Sequence, residues 1–284
     1  MKKEEVQKTV RERYGRIAKE SNSCGCAGSI PNQKISSCCG NGTTAAGNIS
    51  KQIGYTDADI NAVPEGANLG LGCGNPIALA SLKEGEVVLD LGSGGGFDCF
   101  LASEKVGAKG KIIGVDMTAE MLEKARENAR NGGYQNVEFR LGEIENLPVA
   151  DNSVDVIISN CVINLSNDKP RVFAEAFRVL RPGGRLMVSD LVVLKELPDF
   201  IKESVDAYIG CVSGAMKKEE YLKAIKSAGF EKVKVVDQSI FPLDCFIGDP
   251  AAKVIMADLK ITSEQVKDLS ASIASVKVQG AKPG

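Results

Sequence analysis

The sequence predicts an α/β fold built on a mostly parallel, doubly wound sheet with helices on both faces. Three observations carry that expectation. Residues 86–96, EVVLDLGSGGG, run from a short apolar stretch through an acid into a glycine turn, and the apolar run from Phe97 to Ala102 then opens a helix. A second apolar stretch over residues 111–116 ends in Asp116, about twenty residues past the glycine turn, where an acid can accept both hydroxyls of a ribose. Strand-like and helix-like patterns then alternate as far as Asp190, as they do when helices pack on each side of a parallel sheet.

Taken in order, residues 1–20 read as an amphipathic helix with Val6, Val10, Tyr14 and Ile17 on one stripe. Residues 21–50 are rich in Ser, Gly and Asn and read as loop. They carry Cys24, Cys26, Cys38 and Cys39, whose Cys-x-Cys and Cys-Cys spacings miss the two-to-four-residue gap usual for zinc, so a redox or soft-metal segment is preferred. Residues 53–80 predict a short helix and a long loop holding Cys73. The string GLGCGNP in that loop lacks a preceding strand ending in an acid, so it is not read as a cofactor turn. The first strand is expected to close at Asp90, and Thr118 is placed to cap the helix after the second. A third strand is expected over residues 136–141, a fourth over 153–159, a helix over 171–180, a turn at RPGG and a fifth strand over 185–190. Residues 199–216 read as inserted helix with Cys211, residues 218–228 as helix and 232–236 as strand. A second insertion holds Cys245, and residues 264–273 and 274–280 read as a last helix and strand. The expected organisation is an N-terminal helix and Cys-rich segment over residues 1–60, then one domain over 61–284 with cap insertions at about 194–217 and 240–272.

Composition narrows the function. A net charge of −2 offers no surface for polyanions, which argues against nucleic acid. No apolar run approaches the ~20 residues that cross a bilayer, and the charged N-terminus has no apolar core behind it, so a cytoplasmic protein is expected. In that compartment nine cysteines point to metal binding or chemistry more than to structural bridges. The chain has no histidine, which removes the commonest general base and the commonest zinc and iron ligand together.

The glycine turn is not the G-x-G-x-x-G of dinucleotide folds; its Asp-x-Gly-x-Gly-x-Gly spacing, with Asp90 before the first glycine, resembles the first motif of class I S-adenosylmethionine (SAM) methyltransferases, which have a Rossmann-like fold. The resemblance implies SAM as cofactor. It also implies contacts to SAM from Asp90, Gly92, Ser93, Gly94, Gly96, Asp116, Met117 and Asn160, with Glu143 at the adenine amino group and the Ile144 amide at the ring.

In open α/β sheets ligands bind beyond the carboxyl ends of the strands, and Cys161 lies two residues past the expected fourth strand at that edge. Cys211 on an inserted helix and Cys73 on the loop leading in can reach the same cleft, whereas Cys99 fits a buried apolar role and nothing assigns a role to Cys245. Soft thiolates without histidine or an obvious carboxylate cluster select a soft acceptor. Trivalent arsenic held by thiolates keeps a lone pair that can attack a sulfonium methyl without a general base, leaving catalysis to alignment. At PEGANLGLGCGNP, DLGSGGGFD, NCVINLS and AYIGCVSGA the chain resembles arsenite methyltransferases from about Tyr55 onward. That resemblance implies As(III) or its thiol conjugate as substrate and Cys73, Cys161 and Cys211 as its catalytic ligands. It further implies that Cys24, Cys26, Cys38 or Cys39 takes part in redox turnover, with thioredoxin or glutathione as reductant. Two other readings stay open: a SAM-dependent C- or O-methyltransferase of a small organic molecule, and a non-catalytic thiol protein for soft metals.

Overall fold

The computed structural model describes residues 3–20, 45–197, 214–240 and 271–284. Its centre is a seven-stranded sheet of order β3-β2-β1-β4-β5-β7-β6, comprising β1 (Val87–Leu91), β2 (Lys111–Asp116), β3 (Val137–Leu141), β4 (Val154–Asn160), β5 (Leu180–Val193), β6 (Glu231–Ile240) and β7 (Ile273–Ala281). The strands from β3 across to β5 are parallel, and β7 runs antiparallel between β5 and β6. The order reverses between β1 and β4, so the carboxyl ends of those neighbours open a crevice at the switch point of the sheet.

The helices are α1 (Lys3–Glu20), α2 (Ala45–Gln52), α3 (Asp57–Ala62), α4 (Ile77–Ala80), α5 (Phe97–Val106), α6 (Ala119–Gly132), α7 (Lys169–Val179) and α8 (Lys218–Ser227). Central strands are apolar on both sides because both faces are covered. One face buries Leu89, Leu91, Ile157 and Val188 with Phe173 of α7 and Tyr221 of α8, whose rings meet edge to face at 5.4 Å. The other buries Val88, Ile112, Ile158 and Met187 with Phe100 of α5 and Leu122 of α6. A smaller cluster brings Val10 of α1 together with Cys73, Leu165 and Leu191. Helix α1 is also fastened by Arg11 to Glu143 at 2.6 Å and by Lys19 to Glu120 at 2.9 Å. No helix among the described residues is long and apolar enough to cross a membrane.

The observed fold departs from the sequence expectation at several places. Loop composition hides α2, yet Ile49 within it and the buried Ile53 just past its end stand four residues apart, and Ser50 donates to Asn68 at 3.0 Å. RPGG is not a free turn, since β5 begins at Leu180 and is 14 residues long. The C-terminal residues hold that stretch extended: Gly183 donates to the Lys282 carbonyl, and Lys282 to that of Gly184. At its far end β5 runs past Asp190 to Val193. β1 closes at Leu91 rather than Asp90. Thr118 makes no side-chain cap; its amide instead donates to Asp116 at 2.8 Å. β6 runs on to Ile240, and β7 starts at Ile273, where a helix was expected to end. The helix expected over 199–216 lies outside the described residues as far as 213, and residues 214–216 form a turn and irregular chain instead. Of the helix expected over 264–273, residues 264–270 lie outside the described residues, as do the cysteines at 24, 26, 38, 39, 211 and 245.

Gly92 has φ +72°, and a Cβ there would overlap the Val162 side chain on the loop after β4. Gly92→Ala should therefore cost about 1–3 kcal/mol of backbone strain plus a similar overlap term. Adding Val162→Ala should recover the overlap and leave the strain, read as partial recovery of the urea midpoint. Full recovery, or none, would contradict this account.

Candidate active site

A cavity of about 600 Å³ opens at the carboxyl edge beneath α1. Its walls include Val10, Tyr14 and Ile17 of α1, residues 67–72, the glycine turn at 92–95, Asp116 to Thr118, and Asn160 to Val162. The turn is fixed by its own backbone: the Gly92 and Ser93 amides donate to the Val115 carbonyl at 2.8 and 3.0 Å. Gly94 donates to Asp116 Oδ2 at 2.9 Å, so the two expected motifs are bonded directly and the carboxylate is oriented before any ligand arrives.

Three aspartates line this cavity, Asp90 and Asp98 buried and Asp116 half-buried. Burial raises the Asp116 pKa, against the hydrogen bonds from the Thr118 and Gly94 amides. Asp90 is pushed well above the usual carboxylate range by burial and the nearby charge of Asp98, although the Cys99 thiol donates to it at 3.3 Å. Asp98 rises to about 6 through burial, opposed by the Tyr55 hydroxyl at 2.6 Å and by Asn160. Ionised carboxylates with little water around them favour a cationic ligand. Ser93 Oγ and Asn68 Nδ2, also on the cavity wall, are buried without a hydrogen-bond partner. A ligand with both positive charge and polar groups fits such a wall.

Beside the cavity, Cys73 and Cys161 come together. Cys161 lines the wall with a left-handed backbone, φ +59°, and its amide donates to the Ser189 carbonyl at 2.8 Å. Such a φ is costly for a side-chain-bearing residue. Cys73 is buried, with its amide on Asn160 Oδ1 at 3.1 Å and its carbonyl accepting from Ser275 at 2.5 Å. The glycines on either side explain the Gly-Cys-Gly string. A Cβ on Gly74 would overlap Ser189 Oγ, and one on Gly72 would stand 2.9 Å from Asn160 Nδ2. The sulfurs of Cys73 and Cys161 and a carboxylate oxygen of Asp190 all lie within 4.8 Å of one another. Asp190 is 1% exposed and accepts from Asn164 at 2.8 Å, the Leu191 amide at 2.9 Å and the Tyr221 hydroxyl at 3.2 Å. Burial raises its pKa to about 7, opposed by the Leu191 amide and the charge of Lys169.

Of the residues expected to hold a cofactor, Asp90, Gly92, Ser93, Gly94, Asp116, Met117, Ile144 and Asn160 line the cavity. Gly96 ends the turn as the N-cap of α5 with φ +93°. Glu143 is paired with Arg11 at the cavity rim. Asn160 does more than line the wall: its amide donates to Tyr55, Asp98 and the Gly74 carbonyl while its oxygen holds the Cys73 amide. Cys99 is buried in the core as expected, but its thiol meets Asp90. The sequence shows no obvious carboxylate cluster beside the thiols, but the structure brings one carboxylate, Asp190, to them. Sequence reasoning also missed Tyr55 and Asp98. The available signals were an acid in the apolar first turn of a helix, and a third acid near the end of a strand, after Asp90 and Asp116.

Residues 82–229 match the model of a methyltransferase domain. The chain is 50% identical over 232 residues to an arsenite methyltransferase of Halobacterium salinarum, covering 82% of this chain and 59% of that protein. It is 36% identical over 253 residues to an arsenite methyltransferase of Aquipseudomonas alcaligenes, covering 86% and 68%. The chain thus spans about three fifths to two thirds of the length of these relatives. The crystal structure of CrArsM, an arsenic(III) S-adenosylmethionine methyltransferase from Chlamydomonas reinhardtii, superposes with a TM-score of 0.61 at 31% identity, covering 83% of this chain and 73% of that one.

The raised Asp98 pKa has a sign that can be measured. With a folded value of about 6 and an ordinary unfolded value, the group costs nothing when both states are protonated. The cost grows as pH rises between the two values and levels off above the folded one. Asp98→Asn removes it, so the Tm of the variant minus that of the parent should rise by on the order of 5 °C from pH 4 to pH 7.5. A difference independent of pH would refute the assignment.

Proposed function

The chain belongs to the family of SAM-dependent arsenite methyltransferases, and we propose that it acts as one, methylating trivalent arsenic held by cysteine thiolates. The observation that carries this reading is the meeting of Cys73 and Cys161, from segments far apart in sequence, beside a cavity lined by buried acids. Asp116, already oriented by two backbone amides, is the acceptor for the ribose hydroxyls. Asp90 and Asp98 supply the negative field for the positive charge, and Ser93 Oγ and Asn68 Nδ2 take polar groups of the cofactor. Adenine recognition by Glu143 would require it to share or exchange its Arg11 partner.

When bound, SAM supplies an electrophilic methyl group on a sulfonium. Cys73 and Cys161 exchange their thiol protons for arsenic, and the expected third thiolate is Cys211, outside the described residues. Arsenic then presents a lone pair and no proton, so no base has to act at the moment of transfer. The work of the protein is alignment: Asn160 bonds the Cys73 loop on one side and Asp98 on the other, fixing the thiol against the cofactor wall. Methylation raises arsenic formally to the pentavalent state, and we assign the return to the trivalent state to thiols among Cys24, Cys26, Cys38 and Cys39, with thioredoxin or glutathione as reductant. We place the protein in the cytoplasm, without nucleic-acid or membrane partners. An organic acceptor would need a base, and Asp190 could serve; the two thiols against it would then have no role, which is why arsenic is preferred.

The reading is tested by arsenic speciation after incubation with arsenite, SAM and a thiol reductant. Methylated arsenic is expected, and Cys161→Ser should abolish it while SAM affinity by calorimetry stays within about twofold. Unchanged arsenite with SAM bound would move the assignment to an organic acceptor. The redox role needs substitution rather than deletion, because α1 covers the cavity. Replacing Cys24, Cys26, Cys38 and Cys39 by Ser should leave the first turnover intact and slow later ones. Undiminished multiple turnover with thioredoxin would remove these cysteines from the cycle.

A further inference from the structure

We infer that Asp190 is part of the substrate site, where it recognises a trivalent arsenical by the hydroxyl left after two thiol exchanges. The inference rests on the arsenic reading above and names the form in which the substrate enters. Asp190 is the one carboxylate within 4.8 Å of both thiols among the described residues. It is held in place by three donors: Asn164 and the Leu191 amide donate to Oδ1, and the Tyr221 hydroxyl to Oδ2. An ionised carboxylate can accept about four hydrogen bonds, so it can take a further donor besides these three, and one of its oxygens lies within 4.8 Å of both sulfurs. Asn164 is itself anchored on the Leu191 carbonyl at 2.7 Å, and Tyr221 is wedged against Phe173. The carboxylate therefore has little freedom to swing away.

The chemistry asks for such an acceptor. Arsenous acid, As(OH)₃, loses two hydroxyl groups to Cys73 and Cys161. Two As–O bonds break and two As–S bonds form, each thiol proton leaves with its hydroxyl as water, and the oxidation state is unchanged. The product, (Cys–S)₂As–OH, carries one hydroxyl into a buried site, where an unmet O–H is costly. Asp190 stands where that proton can be received. An arsenical whose third substituent is carbon gains nothing from Asp190. Replacement of the last hydroxyl by Cys211 is a later step, releasing a third water.

The experiment uses the full chain carrying Cys211→Ser, which holds the complex at two thiols. Arsenite and phenylarsine oxide, an arsenical with two exchangeable valences and a carbon third, are titrated by equilibrium dialysis with arsenic counted in each compartment. Adding Asp190→Asn should weaken arsenite by roughly tenfold or more and leave phenylarsine oxide within about twofold. Equal losses for both, or none for either, would overturn the inference. X-ray absorption of the arsenite-loaded Cys211→Ser protein, with Asp190 intact, gives a test independent of how the Asn variant folds: two sulfurs and one oxygen are expected in the first shell, and a shell without oxygen would overturn it. Cys161→Ser is the separate control for the thiol site. If phenylarsine oxide binds that variant as tightly as the parent, the arsenic reading fails before Asp190 is at issue.

Discussion

The Asn160 carboxamide is the contact on which the site depends. Its oxygen holds the Cys73 amide, and its nitrogen reaches the Gly74 carbonyl, the Tyr55 hydroxyl and Asp98. One side chain at the end of β4 therefore joins the loop that delivers a thiol, the segment after α2 and the first turn of α5. The contact is possible only because the loop comes close, and it comes close because glycines flank Cys73. Cys161, the next residue, takes a left-handed turn over the Ser189 carbonyl. The two thiols meet because β4 ends where both segments can be tied to it.

A second constraint is electrostatic. Asp90 and Asp98 are buried and Asp116 half-buried on the same wall, and for each the largest cause of a raised pKa is loss of water. An empty site with three such groups is a poor place for negative charge. The compensation comes from a ligand that brings positive charge, so the cost of burying the acids in the free protein becomes selectivity for a cation over its neutral product. Helix α1 enhances this by covering the cavity, and its Arg11 neutralises Glu143 at the rim.

The sheet and its cofactor edge were legible in the sequence because their signals are local. An apolar run, an acid and a glycine turn lie within eleven residues, and Asp116 marks the next strand; both proved to be hydrogen-bonded to each other. The helix α2 was not legible, because Gly47 and Asn48 mask an apolar face that only the packed partner Gly70 reveals. Nor could the length of β5 be read, since RPGG is held extended by residues a hundred positions later. Cys73 and Cys161 were read as site residues from their place at the carboxyl edge, but Asp190 was read only as the end of a strand. Its proximity to them comes from the pairing of β4 with β5, which puts Asn160 beside Ser189. No spacing along the chain encodes that register.

The same register explains how a chain without histidine can arrange both a soft and a hard contact at one place. Side chains alternate along a strand, so with Ser189 facing the Cys73 loop, Asp190 faces the opposite layer, toward Asn164 and Tyr221. Cys161, left-handed at the strand end, and Cys73, on a separate loop with its thiol toward the Ser189 carbonyl, both bring sulfur within 4.8 Å of Asp190. A thiol from each of two separate segments and a carboxylate from β5 thus make a mixed sulfur and oxygen environment in a chain without histidine.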